Sequence, residues 1–304
     1  MVAPSNCLRY TLLPTERWLS CKPYALHHHR AQGPSDKSAC ERKCSLYKSD
    51  GIQDIFLASR PDLGYAYKEL ARFANNPGMV HWKALLSCIG YIKKTRTSHT
   101  LCLASGGGTT LTGYSDSDWN GSTDEHLSTT AWITFVGDAP ISWCSKTQRC
   151  TARSTAESEY VAASSLSQEI IYLQMLVASL DNPTPTVTIF GNSGTKDDPG
   201  IIRRFRQYFA ENPVQQAFVY TDSANAISNA RSPPGWLDES LRHIKTAFHF
   251  IKQFVQSGQI KLDHCRGEDN CSDLLSKGFG KGSAKANQRS DIFLRHAKFV
   301  LGHR

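Results

Sequence analysis

The pattern of hydrophobic and polar positions changes from strand-like to helix-like in the middle of this chain. Leu111 to Trp119 alternates as an extended backbone does, and two runs rich in β-branched and aromatic residues follow at Thr129 to Val136 and Ile141 to Lys146. From Thr155 onward the apolar residues recur at helical spacing instead, with Ser154 or Thr155 as the cap. The pattern therefore predicts a three-stranded meander followed by a helix.

Two more strands and several helices are predicted on either side of this unit. The strands are Phe218 to Asp222 and Gln259 to His264, with a helix capped by Asp238 between them and a short closing helix capped by Asp269 or Asn270. Upstream, one helix opens at Pro61, and a second carries an apolar stripe at Trp82, Leu85, Ile89 and Ile92. The order indicates an α/β domain preceded by a helical hairpin.

Four carboxylates stand at the positions where such a fold gathers its chemistry. Asp116 and Asp222 end strands, Glu159 lies in the first turns of a helix, and Asp273 lies in the closing helix. A right-handed crossover makes the first and fourth strands parallel neighbours, so their carboxylates are expected to meet at one sheet edge. Crowded carboxylates need cations, and hard oxygen ligands favour Mg²⁺ or Mn²⁺.

Each of these carboxylates has an ordinary structural explanation when taken singly. Asp and Glu are common at strand ends and helix N-termini because they cap the backbone and complement the helix dipole. Asp118 and Glu157 lie two residues away from members of the set and are weaker candidates for the same role.

Six motifs occur in one order along the chain: GYSDSDW, ISWCSKTQ, STAESEYVA, VYTDSANAI, LRHIKTAFHFI and GEDNCSDLLSKGF. Together they resemble the ribonuclease H domain of copia-type LTR retrotransposon Pol polyproteins. The upstream segments SRPDLGYAYKELARF and HWKALLSCIGYIKKT resemble the helical connection that follows the polymerase in those polyproteins.

The resemblance implies a ribonuclease H-like fold, a mixed five-stranded sheet flanked by helices. It implies endonucleolytic hydrolysis of the RNA strand of RNA/DNA hybrids, with two Mg²⁺ or Mn²⁺ ions as cofactors. It assigns Asp116, Glu159, Asp222 and Asp273 as the catalytic residues and metal ligands. A polymerase domain of a related element is a candidate partner, because this chain has no Tyr-x-Asp-Asp signature of its own.

The same comparison predicts four segments. Residues 1–50 have no counterpart and suggest a truncated or rearranged copy, 51–104 form the helical connection at the end of the reverse transcriptase region, 105–280 form the ribonuclease H-like domain, and 281–304 form a basic tail. Residues 191–217 are either an insertion or the join of two fused partial copies, because the strand-like run at Val187 leads into no carboxylate. Asp222 is assigned because both of its flanks match the family.

Composition adds the class of partner and a compartment. A net charge of +8 and a pI near 9.0 favour a polyanionic partner, and nucleic acid fits the motifs. The ten cysteines show no CxxC pair, which indicates free thiols. No secretory signal or membrane span is predicted, so we expect an intracellular protein, either cytoplasmic within a virus-like particle or nuclear.

Two other functions remain open at this point. The chain could be a catalytically inactive remnant that only binds nucleic acid or has no activity, as the unmatched start and the segment 191–217 suggest. A cellular protein that uses the fold only to bind partners is the third alternative.

Overall fold

Five strands form one mixed sheet in the order β3-β2-β1-β4-β5. In the computed structural model, which describes residues 59–74, 76–96, 99, 110–122, 126–181, 216–233 and 244–278, β1 pairs antiparallel with β2 and parallel with β4. The strands are β1 (Leu111–Asp118), β2 (Thr129–Val136), β3 (Ala139–Thr147), β4 (Ala217–Thr221) and β5 (Ile260–His264). The predicted mixed five-stranded sheet is confirmed.

The described part of the chain contains six α-helices besides this sheet. They are α1 (Gly64–Arg72), α2 (Met79–Thr95), α3 (Thr155–Asp181), α4 (Ala224–Arg231), α5 (Lys245–Gln256) and the short α6 (Asp273–Ser276), with a 3₁₀ turn at Pro61–Leu63 before α1. Ser154 caps α3, because its Oγ accepts a hydrogen bond of 3.2 Å from the Glu157 N–H.

The closing helix begins later than predicted. The residue before α6 is Ser272, and its side chain makes no capping hydrogen bond. Asn270, one of the two predicted caps, accepts hydrogen bonds from the Ser272 N–H and O–H while it donates to the main chain of β1. Its side chain therefore stabilises the start of the closing segment and joins it to the sheet.

The two faces of the sheet carry separate apolar clusters. On one face α3 packs over the strands, and α4 and α5 complete the main core, whose fully buried members include Tyr160, Leu166, Ile170, Ile251 and Leu262. On the other face Leu275 of α6 packs against three residues of β2, namely Ala131, Ile133 and Phe135. Side chains alternate along β1, so Tyr114 and Asp116 face the second cluster while Ser115 and Ser117 face α3.

Leu166 of α3 lies close to the sheet over Gly113. A Cβ placed there would lie 2.7 Å from Leu166 Cδ1, so only a residue without a side chain fits. The stretch Thr155–Ala178 is long and apolar enough to cross a membrane by length and composition, but 56% of an 18-residue apolar portion of it is buried against the rest of the protein. That burial is typical of the core helix of a globular domain.

The upstream helix α1 packs on the same face of the sheet as α6. Lys68 Nζ donates a hydrogen bond of 2.8 Å to Thr129 Oγ1, and Arg72 donates one of 3.0 Å to Ser122 Oγ. In α2, by contrast, Leu85 of the predicted apolar stripe is buried while Ile89 is 38% exposed. Among the described residues, the sheet covers α1 but leaves much of α2 uncovered.

Several predictions concern residues outside the described ranges. They are the N-terminal segment 1–50, the basic tail 281–304 and nearly all of the segment 191–217. The division into four segments stays a prediction. The five cysteines within the described ranges are free thiols, as the spacing predicted: Cys88, Cys144, Cys150, Cys265 and Cys271.

Candidate functional site

Asp116 and Asp222 lie side by side at the carboxyl edge of the sheet. β1 and β4 are parallel, and their last paired residues are Ser115 and Thr221, so both aspartates occupy the next position along their strands. The parallel pairing of β1 and β4 produces this arrangement, as the sequence predicted. Asp116 is buried, with 2% of its surface exposed.

Glu159 reaches the same edge from the opposite face of the sheet. It lies in the second turn of α3, and its Oε1 accepts hydrogen bonds from the Ser117 N–H (3.2 Å) and the Ser117 O–H (2.9 Å). Ser158 joins the Ser117 hydroxyl from the neighbouring position on the helix, at 2.8 Å. These bonds hold the glutamate at the end of β1, where α3 and the sheet meet.

Three of the four predicted ligands form one group. Ligand oxygens of Asp116, Glu159 and Asp222 all lie within 4.8 Å of one another. Glu159 Oε2 is buried and has no hydrogen-bond partner among the described residues. A buried carboxylate oxygen without a partner is unfavourable in a protein interior, and a cation would satisfy it.

Asp273, the fourth predicted ligand, lies beside this group rather than within it. Its side chain is 4% exposed and forms an ion pair with Lys277, four residues later. The Lys277 ammonium also lies 3.8 Å from Asp116 Oδ2. Ser276, between them in sequence, donates a short hydrogen bond to Asp116 Oδ2. The closing segment thus contacts Asp116 through both a hydroxyl and an ammonium group.

The electrostatics of the group favour bound cations. The pKa of Asp116 is raised to about 7, with burial as the largest cause; Asp273 and Asp222 contribute to the rise, while Lys277 opposes it. Burial, followed by Asp116 and Asp222, raises the pKa of Glu159 to about 9. Burial also raises the pKa of Asp222. Without cations, these carboxylates cannot all ionise at neutral pH without a penalty.

The two weaker candidates have different surroundings. Glu157 caps the start of α3, because its Oε2 accepts a hydrogen bond of 2.6 Å from the Arg153 N–H. The Asp118 carboxylate lies over Gly121, where a Cβ would stand 2.1 Å from Oδ2. Neither residue belongs to the three-carboxylate group, so the capping explanation fits Glu157.

Three residues that contact the predicted ligands were not singled out from the sequence. They are Ser117, Ser276 and Lys277. Serine and lysine are common at strand ends and in short surface helices, so their presence at these positions did not indicate a functional role. The only sequence signal was their place inside the motifs SDSDW and DNCSDLLSK, next to the assigned carboxylates.

No protein-family model matches the chain, but individual relatives do. It is 31% identical to the retrovirus-related Pol polyprotein from transposon RE2 of Arabidopsis thaliana over 219 residues. These residues make up 72% of this chain and 13% of that protein. The chain is homologous to one segment of the copia-type retrotransposon Pol polyproteins. The corresponding polyprotein from transposon TNT 1-94 of Nicotiana tabacum is 31% identical over 222 residues, 73% of this chain and 14% of that protein.

The copia-type chain therefore spans about an eighth of the length of these two polyproteins. It is also 37% identical over 122 residues to the secreted RxLR effector protein 161 of Plasmopara viticola, which is 40% of this chain and 85% of that protein. Among solved structures, a ribonuclease H1 isolated from compost covers 55% of this chain and 92% of its own at 14% identity and a TM-score of 0.34. At that TM-score the structural match carries no weight.

Proposed function

We propose that this copia-type chain is a ribonuclease H that hydrolyses the RNA strand of RNA/DNA hybrids. The observation that carries the proposal is the group formed by Asp116, Glu159 and Asp222, with a partnerless buried oxygen on Glu159. Homology to the copia-type Pol polyproteins supports the choice of a nucleic-acid substrate, and so does the net charge of +8.

The donor set fits two divalent ions of the hard type. All the candidate donors are carboxylate oxygens, which Mg²⁺ and Mn²⁺ prefer over the nitrogen and sulfur ligands of zinc sites. Asp116, Glu159 and Asp222 would hold the ions, with Asp273 joining them. Bound ions would activate a water molecule for attack on phosphorus and stabilise the 3′ oxygen that leaves.

Side chains of this protein hold two of the site's carboxylates in place. Ser117 fixes Glu159 through two donors, and Ser276 fixes Asp116 through one, so both carboxylates are held before any ligand arrives. This preorganisation lowers the cost of bringing like charges together when the site assembles. Recognition of the hybrid would rest on backbone contacts and on the 2′-hydroxyl rather than on base sequence.

Cleavage of a labelled RNA/DNA hybrid by the 304-residue chain, with Mg²⁺ or Mn²⁺, tests the proposal. We expect metal-dependent cleavage of the hybrid, little cleavage of single-stranded RNA, and loss of activity in Asp222→Asn with the fold retained. Full activity of Asp222→Asn would show that the ligand on β4 was assigned wrongly. A folded wild type that binds the hybrid without cutting it would favour the inactive remnant.

Binding of the hybrid should also weaken steeply with salt. Neutralising several phosphates releases counterions, so the logarithm of the binding constant falls linearly with the logarithm of salt concentration. A fluorescence anisotropy titration with a hybrid at several salt concentrations measures this slope. A flat response would contradict binding dominated by phosphate contacts.

The intracellular location stays a prediction of the sequence.

A further inference from the structure

Lys277 lies between two of the four carboxylates that the sequence assigned to the metal site. Its ammonium forms an ion pair with Asp273 Oδ1 and lies 3.8 Å from Asp116 Oδ2. Both carboxylates are almost completely buried, with 4% and 3% of their side chains exposed, while 34% of the lysine side chain is exposed. The Lys277 side chain therefore contacts solvent on one side and two buried carboxylates on the other.

The lysine also explains why only three carboxylates form the compact group. Asp116, Glu159 and Asp222 have oxygens within 4.8 Å of one another, whereas Asp273 is paired with the ammonium outside this group. Asp273 is nevertheless close enough to raise the pKa values of both Asp116 and Asp222. The Asp273 carboxylate therefore interacts electrostatically with the group of three carboxylates, although its ion pair is with Lys277.

We propose that the Lys277 ammonium takes the place of one of the two cations while the site is free of metal, and moves away when the second divalent ion binds. The inference rests on the metal site of the proposed function. The first ion would bind the group of three carboxylates, and the second would require Asp273, for which it competes with Lys277. Lys277 is thus a positioning residue that sets the affinity of the second ion.

The physical argument gives the direction of two effects. Removing the ammonium takes an ion-pair partner away from a buried carboxylate, which destabilises the metal-free fold. It also removes a positive charge from the position of the incoming ion, which strengthens binding of that ion. A replacement without charge should therefore lower metal-free stability and raise metal affinity together, a combination that loss of packing alone does not produce.

The test uses the 304-residue chain and compares Lys277→Met with Lys261→Met. Lys261 also pairs with an aspartate, Asp263, at 2.8 Å, and it lies on β5 away from the carboxyl edge, so the control removes the same charge from a more exposed ion pair. Isothermal titration with Mn²⁺ reports the two classes of binding site, and a thermal melt with and without Mg²⁺ reports stability.

We expect Lys277→Met to lower the metal-free Tm, to increase the rise in Tm on adding Mg²⁺, and to tighten the weaker Mn²⁺ class by roughly tenfold. Lys261→Met should match the wild type in both Mn²⁺ classes, and Lys277→Arg should stay close to the wild type because it keeps the charge. Identical Mn²⁺ isotherms for Lys277→Met and Lys261→Met would overturn the inference. Absence of Mn²⁺ binding by the wild type would instead contradict the proposed metal site.

A second variant keeps the inference testable if Lys277→Met does not fold without metal. Asp273→Asn removes the carboxylate for which the ammonium and the second ion compete, and it leaves the group of three intact. We expect this variant to lose the weaker Mn²⁺ class and to keep the tighter one. Retention of both classes by Asp273→Asn would overturn the proposal.

Discussion

The side-chain amide of Asn270 donates a hydrogen bond of 2.9 Å to the main-chain carbonyl oxygen of Ser115, which immediately precedes Asp116 in β1. Asn270 is 4% exposed and also accepts two hydrogen bonds from Ser272. One buried side chain therefore links the segment that carries Asp273 and Lys277 to the strand that carries Asp116.

Asn270→Ala should destabilise the chain by about 1–3 kcal/mol, because it leaves the buried Ser115 carbonyl oxygen without its donor. Urea unfolding measures the loss. Glu268→Ala, in the same loop but exposed, serves as the control and should change the free energy of unfolding by less than about 0.5 kcal/mol. Equal losses in both variants would show that the Asn270 bond contributes nothing specific.

Gly113→Ala should destabilise the fold by about 1–3 kcal/mol, because the added methyl group would overlap Leu166 of α3 at 2.7 Å. Gly90→Ala provides a matched control in α2, where a Cβ would meet nothing within 4 Å. There alanine should stabilise the helix by up to about 1 kcal/mol. Thermal melts of the two variants should therefore shift in opposite directions, and a shared direction would contradict the packing described.

The stability of the metal-free chain should fall as the pH rises from about 5 to about 9. Asp116 and Glu159 have pKa values raised to about 7 and about 9 in the folded state, so over this range the folded chain binds more protons than the unfolded chain. At low pH both groups are protonated and the penalty is absent, whereas above the folded pKa values it is complete.

Melting temperatures measured across this pH range in a chelator check the sign. Saturating Mg²⁺ should remove most of the fall, since bound cations neutralise the carboxylates. Glu159→Gln should flatten the metal-free profile, while Glu169→Gln on the same helix should leave its slope unchanged. A metal-free stability that increases from pH 5 to pH 9 would contradict the burial of these groups.

Residues 105–280 are predicted to fold alone, but with a lower urea midpoint than the whole chain. α1 covers part of the sheet face and bonds β2 through Lys68; Leu70 of α1 and Leu63 of the preceding 3₁₀ turn are buried at 6% and 4% exposure. Removing them exposes apolar surface around Leu275. An unchanged midpoint would show that α1 is only loosely attached, and aggregation of the fragment would show that α1 belongs to the same core.

The sequence was sufficient for the parts of the site that depend on regular structure. Asp116 and Asp222 end strands whose pairing follows from the handedness of the crossover, and Glu159 follows from the cap and period of α3. These rules depend only on a few neighbouring residues or on the order of helices and strands, so they can be applied to the sequence alone.

The contacts of the closing segment could not be read from the sequence. Asn270 and Ser115 are 155 residues apart, and no periodic pattern relates them. Lys277 lies four residues after Asp273, a spacing that usually indicates an ordinary surface pair on a helix. Only the packing of α6 beside β1 brings the Lys277 ammonium, just after α6, close to Asp116.

The rate of hybrid cleavage by Asp116→Asn and Asp118→Asn, measured beside the wild type in Mg²⁺, tests the central claim most directly. The two aspartates are two residues apart in β1, but only Asp116 belongs to the group of three carboxylates. We predict that Asp116→Asn loses at least about a hundredfold in rate while Asp118→Asn stays within about tenfold of the wild type. Equal activity of Asp116→Asn and the wild type would contradict the assignment of this site.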